Sequence, residues 1–276
     1  MKNPTQLKAL IRNFSQRTKI EPEVILRKYI LERFLERVSV SNYKHNFILK
    51  GGVLIAAMVG IESRSTMDLD ATIKGQSLSE TEVVEIIGEI LKINVDDGVL
   101  FTFRSIDNLQ EVAGYPAYRV TLDSLYGKIK QICKIDITTG DLVTPNEINY
   151  DYKLMFEDRV IQVLAYNLET ILAEKFEAII TKGITNTRMR DYYDIHLLST
   201  THDFSKEVFR SAVQNTSTQR QTANQLKETA AIFESIASSP ILSEQWTRYQ
   251  KKNKYAAAVT WESSVESLWN LAQHLT

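Results

Sequence analysis

The stretch "FILKGGVLIAAMVGIESRSTMDLDATIKG", residues 47–75, contains two adjacent glycines, Gly51 and Gly52, followed by two carboxylates in alternation, Asp68 and Asp70. In a strand, residues i and i+2 project from one face, so an extended "STMDLDATIKG" sets both acids side by side with Leu69 turned toward a core. Two neighbouring carboxylates repel unless a cation lies between them. A hard divalent ion such as Mg²⁺ takes oxygen ligands of this kind. The glycines let the backbone approach another group with no Cβ in the way. If a helix starts there, its unpaired N–H groups can receive a phosphate. Lys50 beside the glycines adds a positive charge, and Ser65 and Thr66 ahead of the acids add hydroxyls. Together these parts suit a metal-bound triphosphate. Each also has a plainer reading: an acidic pair in a turn, and a Gly-Gly serving only a tight turn or close helix–strand packing.

Two-metal phosphoryl or nucleotidyl transfer calls for a third acid. Asp136, in the apolar alternation "KQICKIDITTGD", is the candidate, because an unpaired carboxylate buried there would be costly. Pairing with Lys134 or Lys130, or simple exposure, accounts for it equally well. Further along, Lys175 sits at the edge of the apolar face formed by Ile171, Leu172, Phe176 and Ile179. It either extends outward to water or meets a phosphate as a point charge. In "RMRDYYDI", Arg190, Asp191 and Asp194 fall near one another on a helix surface. As surface ion pairs they would contribute only about 0.5 kcal/mol. As a site, Asp191 would face Lys175 or an attacking hydroxyl, Arg188 or Arg190 would contact phosphates, and Asp194 would cap or orient.

The elements that must hold these residues are legible in outline. Residues 4–18 and 21–40 have helical patterning, with Pro22 in a first turn. "NFILKGG" is a short strand that breaks at the glycines, and "VLIAAMVG" a buried helix. "LSETEVVEIIGEILKINV" is an amphipathic helix whose Ser79 and Glu82 form a capping-box pattern. Strands follow in "VLFTFRSIDNL", "YPAYRVTLDSLYG" and "KQICKIDITTGD", and "LVTPNEINYDYKLMF" is strand or loop. From about Val163 the chain turns helical. The expected fold class is α+β: a mixed sheet with flanking helices and a helical C-terminal region. The expected domains are 1–160, an α/β domain with N-terminal helices, and 161–276, a helical domain completing the active site.

Bulk properties narrow the function. The 276 residues carry a formal net charge of −1, which argues against a generally basic nucleic-acid binder. The first fifty residues are the exception, with eleven Lys/Arg against four Asp/Glu. That excess is either solvated helix faces or a phosphate-contacting surface, in which Arg27, Lys28 and Arg33 would take part. Cys133 is the single cysteine, so a reducing, cytoplasmic setting is expected. No signal peptide and no run of transmembrane length is read. The four histidines show no metal-ligand spacing. Tyr192 and Tyr193 fit a core, and the three tryptophans fit packing of the last helices.

The segments "LKGG" and "RSTMDLD", with "LRKYILERFLERVSVSNYKHNFILKGG" upstream and "LAEKFEAIITKGITNTRMRDYYDIHLL" downstream, resemble the AbiEii/AbiGii family of nucleotidyltransferase-fold toxins. The resemblance spans roughly residues 20–200. It implies a nucleotidyltransferase-like sheet, a nucleoside triphosphate substrate, Mg²⁺, a role in bacterial abortive infection and phage defence, and a cognate antitoxin from a neighbouring gene. Related toxins modify the tRNA 3′ end and block translation, which makes tRNA the expected acceptor. Carried over, Asp68, Asp70 and Asp136 are the metal-binding acids. Lys50, Gly51, Gly52, Ser65, Thr66, Lys175 and Arg190 hold the nucleotide, and Lys175 and Asp191 join the catalytic set. Asp191 acts as a base or holds Lys175. The alternatives are nucleotidylation of a protein or small molecule, and a nucleotide-binding partner protein without transfer.

Overall fold

A computed structural model describes residues 3–75, 78–112 and 115–275. The chain divides into two compact units, residues 1–141 with 148–165, and residues 142–147 with 166–276.

The first unit is built on one seven-stranded mixed sheet. Its strands are β1 (Phe47–Lys50), β2 (Leu69–Ile73), β3 (Leu100–Val112), β4 (Tyr115–Tyr126), β5 (Ile129–Thr139), β6 (Ile148–Lys153) and β7 (Val160–Ala165), in the spatial order β3-β4-β5-β2-β1-β7-β6. β2 runs antiparallel to β1 and parallel to β5, which puts the two short strands at the centre. Central strands buried on one face alternate: Leu69, Ala71, Ile135 and Ile137 are fully buried, and Asp70 and Asp136 between them point to the other, half-open face. Cys133 lies on the buried face of β5.

Four helices belong to this unit: α1 (Pro4–Thr18), α2 (Pro22–Val40), α3 (Gly51–Val59) and α4 (Glu80–Leu91). α4 begins in the capping box read from the sequence, with the Ser79 hydroxyl accepting from the Glu82 N–H at 3.3 Å and Glu82 accepting from the Ser79 N–H at 2.7 Å.

α2 departs from expectation. Its Arg, Lys and Glu positions were read as a polar face, yet Glu32, Arg33, Glu36 and Arg37 are all buried. The helix runs through the interior, and its charges are neutralised there. The Arg37 fork donates to both oxygens of Asp97, at 2.6 and 2.9 Å, and to the Val99 carbonyl at 2.7 Å. Arg33 pairs with Glu36 and Glu157, each at 2.9 Å. This corrects the reading of Arg33 as part of an exposed phosphate-contacting surface. A charge this deeply buried survives only when paired, and at 1% exposure Arg33 presents no surface to an incoming phosphate. Arg27 pairs with Glu23 at 2.8 Å, and Lys28 is half-buried, with desolvation pushing its pKa down.

The second unit is helical. It comprises α5 (Leu168–Lys182), α6 (Met189–Thr201), α7 (Lys206–Gln219), α8 (Ala223–Leu226), α9 (Thr229–Ala237), α10 (Pro240–Lys252) and α11 (Trp261–Ala272). Side-chain caps open α5 and α7, where Asn167 accepts from Thr170 and Ser205 from Val208. Tyr192, Tyr193 and Trp246 are core residues, and Trp269 stacks on Phe233 with ring centroids 4.5 Å apart. Among the described residues no helix is long and apolar enough to cross a membrane.

One charge in α2 is left without an ion-pair partner of matching strength. Burial pushes the Glu32 carboxyl up to about 7, against the opposing pull of Lys28 and hydrogen bonds from the Met155 N–H and Tyr152 hydroxyl. The folded protein therefore keeps this proton up to about pH 7, while the unfolded chain releases it near 4.5. Between those values the folded state binds more protons, so stability falls as pH rises. Glu32→Gln is expected to flatten that part of the stability–pH profile, measured by urea denaturation, and to raise stability above pH 7. An unchanged profile would show that Glu32 titrates like an exposed carboxylate.

Candidate active site

The site in the first unit is a consequence of strand register. Lys50 on β1 is paired with Asp70 on β2, Asp70 with Asp136 on β5, and Asp136 with Arg119 on β4. Paired residues share a face, so four adjacent strands carry a row Lys50–Asp70–Asp136–Arg119, two acids flanked by two cations. Like charges on neighbouring strands are destabilising, and the cations at either end offset this. Arg119 grips Asp136 with Nε at 2.7 Å and Nη2 at 2.6 Å, one nitrogen per carboxylate oxygen. That bond, and beyond it the charges of Asp136, Asp68 and Asp70, hold the Arg119 guanidinium pKa above its ordinary value. The three acids thus act on one cation. Lys50 pairs with Asp141, whose carboxylate also accepts from the Thr138 hydroxyl at 2.6 Å.

Asp68 does not lie in the strand as expected. It occupies the bend just before β2, which starts at Leu69. The reason is in the neighbours: β1 ends at Lys50, opposite Asp70, and pairing with β5 ends at Leu69, so Asp68 has no ladder partner on either side.

The two glycines have separate tasks at the start of α3. Gly51 is in the left-handed region, φ +64°, and a Cβ there would run into the Asp70 carboxylate. At Gly52 a Cβ would sit 2.9 Å from the Thr66 Cβ. With no side chain in the way, the Gly52 N–H donates to Asp70 Oδ2 at 3.1 Å. A carboxylate thus occupies the helix N-terminus, where the unpaired N–H groups and the helix dipole favour negative charge. The close-packing reading of Gly-Gly is what this contact shows. Buried Arg64 lies against Gly52 and donates to the Ser65 carbonyl. The Thr66 hydroxyl reaches the Asp68 carbonyl at 3.4 Å.

In the second unit, Lys175 on α5 meets two acids on α6. Its ammonium lies 2.7 Å from Asp191 Oδ1 and 2.8 Å from Asp194 Oδ2. Burial opposes the charge, but the two carboxylates outweigh it and hold the lysine pKa above its ordinary value. Three residues along α6 bring Asp191 and Asp194 to one face, yet their environments differ: Asp194 is fully buried and Asp191 is at the margin. Asp194 therefore belongs to no surface ion pair with Arg190. Arg190 and Arg188 are exposed and, among the described residues, form no ion pair.

Three participants were missed from the sequence, Arg119, Asp141 and Arg64, and so was the burial of Asp194. The first had a usable signal. β4 and β5 join through Gly127 and Lys128, with Gly127 at φ +60° as a two-residue II′ hairpin requires. Counting back from that turn places Arg119, and neither Lys134 nor Lys130, beside Asp136.

A divalent cation would meet oxygen ligands here. Asp68 and Asp70 offer the carboxylate oxygens such an ion takes. Among the described residues, however, no three His, Cys, Asp or Glu side chains form a ready cage, and both Asp136 oxygens are engaged by Arg119. This fits Mg²⁺ in its usual mode, held by one or two carboxylates with substrate phosphates completing the shell.

The family model of the nucleotidyl transferase AbiEii toxin, type IV toxin–antitoxin system, matches residues 33–269. MenT4, a nucleotidyltransferase toxin from Mycobacterium tuberculosis H37Rv, has a similar fold at 11% identity and a TM-score of 0.58, covering 97% of this chain and 98% of that one. A protein of H. pylori described as a nucleotidyltransferase is similar at 14% identity and a TM-score of 0.50, covering 93% and 97%. No curated protein matches this chain in sequence.

The packing of Gly51 gives a direct test. Gly51→Ala combines a left-handed residue, costing roughly 1–2 kcal/mol, with overpacking on Asp70, costing about 1–3 kcal/mol. A loss of stability of about 2–5 kcal/mol is expected by chemical denaturation. A midpoint equal to that of the unaltered chain would mean that the helix start is not packed against the acid.

Proposed function

Because this chain belongs to the AbiEii family of nucleotidyltransferase toxins of type IV toxin–antitoxin systems, we propose that it transfers a nucleotide from a nucleoside triphosphate to RNA, with the tRNA 3′ end as acceptor, and so blocks translation. The observation that carries this reading is the junction of β1 and α3, where the Gly51–Gly52 backbone and Lys50 stand against Asp70. Backbone donors and a cation suit phosphates, and adjacent acids suit the metal that accompanies them.

In this proposal Asp68 and Asp70 would hold Mg²⁺, and Asp136 is the third acid, with Arg119 as its counter-ion in the absence of substrate. Bound there, the cation supplies charge neutralisation at the reacting phosphate. Lys50, Gly51, Gly52, Ser65 and Thr66 hold the triphosphate. In the helical unit, Lys175, fixed between Asp191 and Asp194, and Arg190 carry positive charge suited to phosphate. The acceptor hydroxyl oxygen bonds to the α-phosphorus as the bond to the bridging oxygen breaks, pyrophosphate leaves, and the hydroxyl proton passes to Asp136 once Arg119 turns from it to the substrate phosphates. Asp191, bonded to Lys175 at 2.7 Å, is better suited to holding that lysine than to taking a proton. The cognate antitoxin that the family implies would counter this activity.

The test is a transfer assay with purified protein, Mg²⁺, total tRNA and each α-labelled nucleoside triphosphate in turn. Label is expected on tRNA with the unaltered chain and not with Asp70→Ala. Label appearing on protein alone, or on nothing despite measurable triphosphate binding, would overturn the RNA acceptor.

A further inference from the structure

In α2, Arg33 and Arg37 are spent on buried ion pairs and are not open to an RNA acceptor. A different feature has the right character. Within the helical unit, the start of α6 and the C-terminal part of α10 line an open cleft of about 630 Å³. Arg188 and Arg190 line it from α6, and Arg248 and Lys252 from α10. The acid in its wall, Asp191, has its charge met by Lys175. Among the described residues Arg188, Arg190 and Lys252 form no ion pair. Arg248 has only the exposed i,i+4 partner Glu244, at 2.6 Å, a bond that contributes little in water. Four cations converging on one concave surface, with so few opposing charges, repel one another unless an anion lies among them.

We propose that this cleft binds the phosphodiester backbone of the single-stranded end of the acceptor RNA, an inference that rests on the RNA-transfer reading above. The lining from Gln245 to Asn253 extends over roughly 12 Å of helix at 1.5 Å per residue. That matches a run of phosphates rather than one. The triphosphate of the substrate shares the same anionic chemistry, so the experiment must separate the two.

The full chain, unaltered and as Arg248→Ala/Lys252→Ala, is titrated into a short 5′-fluorescein-labelled single-stranded RNA, and binding is followed by anisotropy between about 50 and 200 mM salt. The corresponding Lys8→Ala/Arg12→Ala variant of α1 serves as the comparison, and thermal melting confirms that each variant folds. Triphosphate affinity is measured separately on the same proteins. Loss of two phosphate contacts is expected to weaken RNA binding by about tenfold or more and to reduce the slope of log K against log salt by about 1.4, at about 0.7 per contact. The α1 variant and triphosphate binding should be little changed. RNA affinity and slope equal to those of the unaltered chain, an equal loss in the α1 variant, or weakened triphosphate binding with RNA binding intact would each overturn the assignment. If the unaltered chain labels RNA while the α10 variant binds RNA normally, only the cleft assignment fails. If the unaltered chain labels no RNA, the acceptor reading fails and the inference that rests on it is withdrawn.

Discussion

The contact on which the first unit depends is that of the Asp70 carboxylate with the Gly51–Gly52 backbone. It joins two elements that must be fixed relative to each other, the first turn of α3 and the central strand β2. A side chain at either glycine would separate them, because one meets Asp70 and the other Thr66. Once the contact is made, register does the rest. Lys50, Asp70, Asp136 and Arg119 fall into one row because β1, β2, β5 and β4 are neighbours in that order. The acids are adjacent by topology, and their repulsion is contained by an arginine at one end and a lysine at the other. In the function proposed above, a cation and a polyphosphate would replace these internal partners.

Charge is managed differently elsewhere in the chain. α2 buries two arginines and two glutamates, and the charge of each arginine is met by an acid far away in sequence, Asp97 for Arg37 and Glu157 for Arg33. These pairs leave the residues inert toward ligands. Lys175 between Asp191 and Asp194 is an intermediate case. It is buried enough to be fixed in place and, with one acid at the margin of the cleft, close enough to its lining to matter there. Fixed charges of this sort cost no reorganisation when a phosphate arrives.

The family, the helical and strand elements that carry the motifs, and the Gly-Gly and Asp-Leu-Asp pair were legible in the sequence because each is a local pattern. Capping of α4 was likewise local, with donor and acceptor three residues apart. What escaped was long-range. Arg33 and Arg37 look like any solvated helix arginines until Asp97 and Glu157 are brought to them by the fold. Asp194 has the same spacing to its neighbours as a surface pair, and only the packing of α5 on α6 buries it. Asp68 missed the strand by one residue because the ladder on both sides stops at Leu69 and Asp70, a limit set by β1 and β5 and invisible in "TMDLD" itself. The partner of Asp136 was within reach, since the turn at Gly127 fixes the pairing of β4 with β5, and only the count along the hairpin was needed.

The central claim is that the row of acids and the glycine turn form a cradle for a metal-bound triphosphate. Calorimetric titration of a nucleoside triphosphate into the full chain, with and without Mg²⁺, tests this without relying on any acceptor. Binding that requires Mg²⁺ and is lost in Asp68→Asn/Asp70→Asn, with the fold retained, is expected. Equal binding in the variant, or binding indifferent to Mg²⁺, would contradict the claim and leave these acids a structural device for holding α3 against β2.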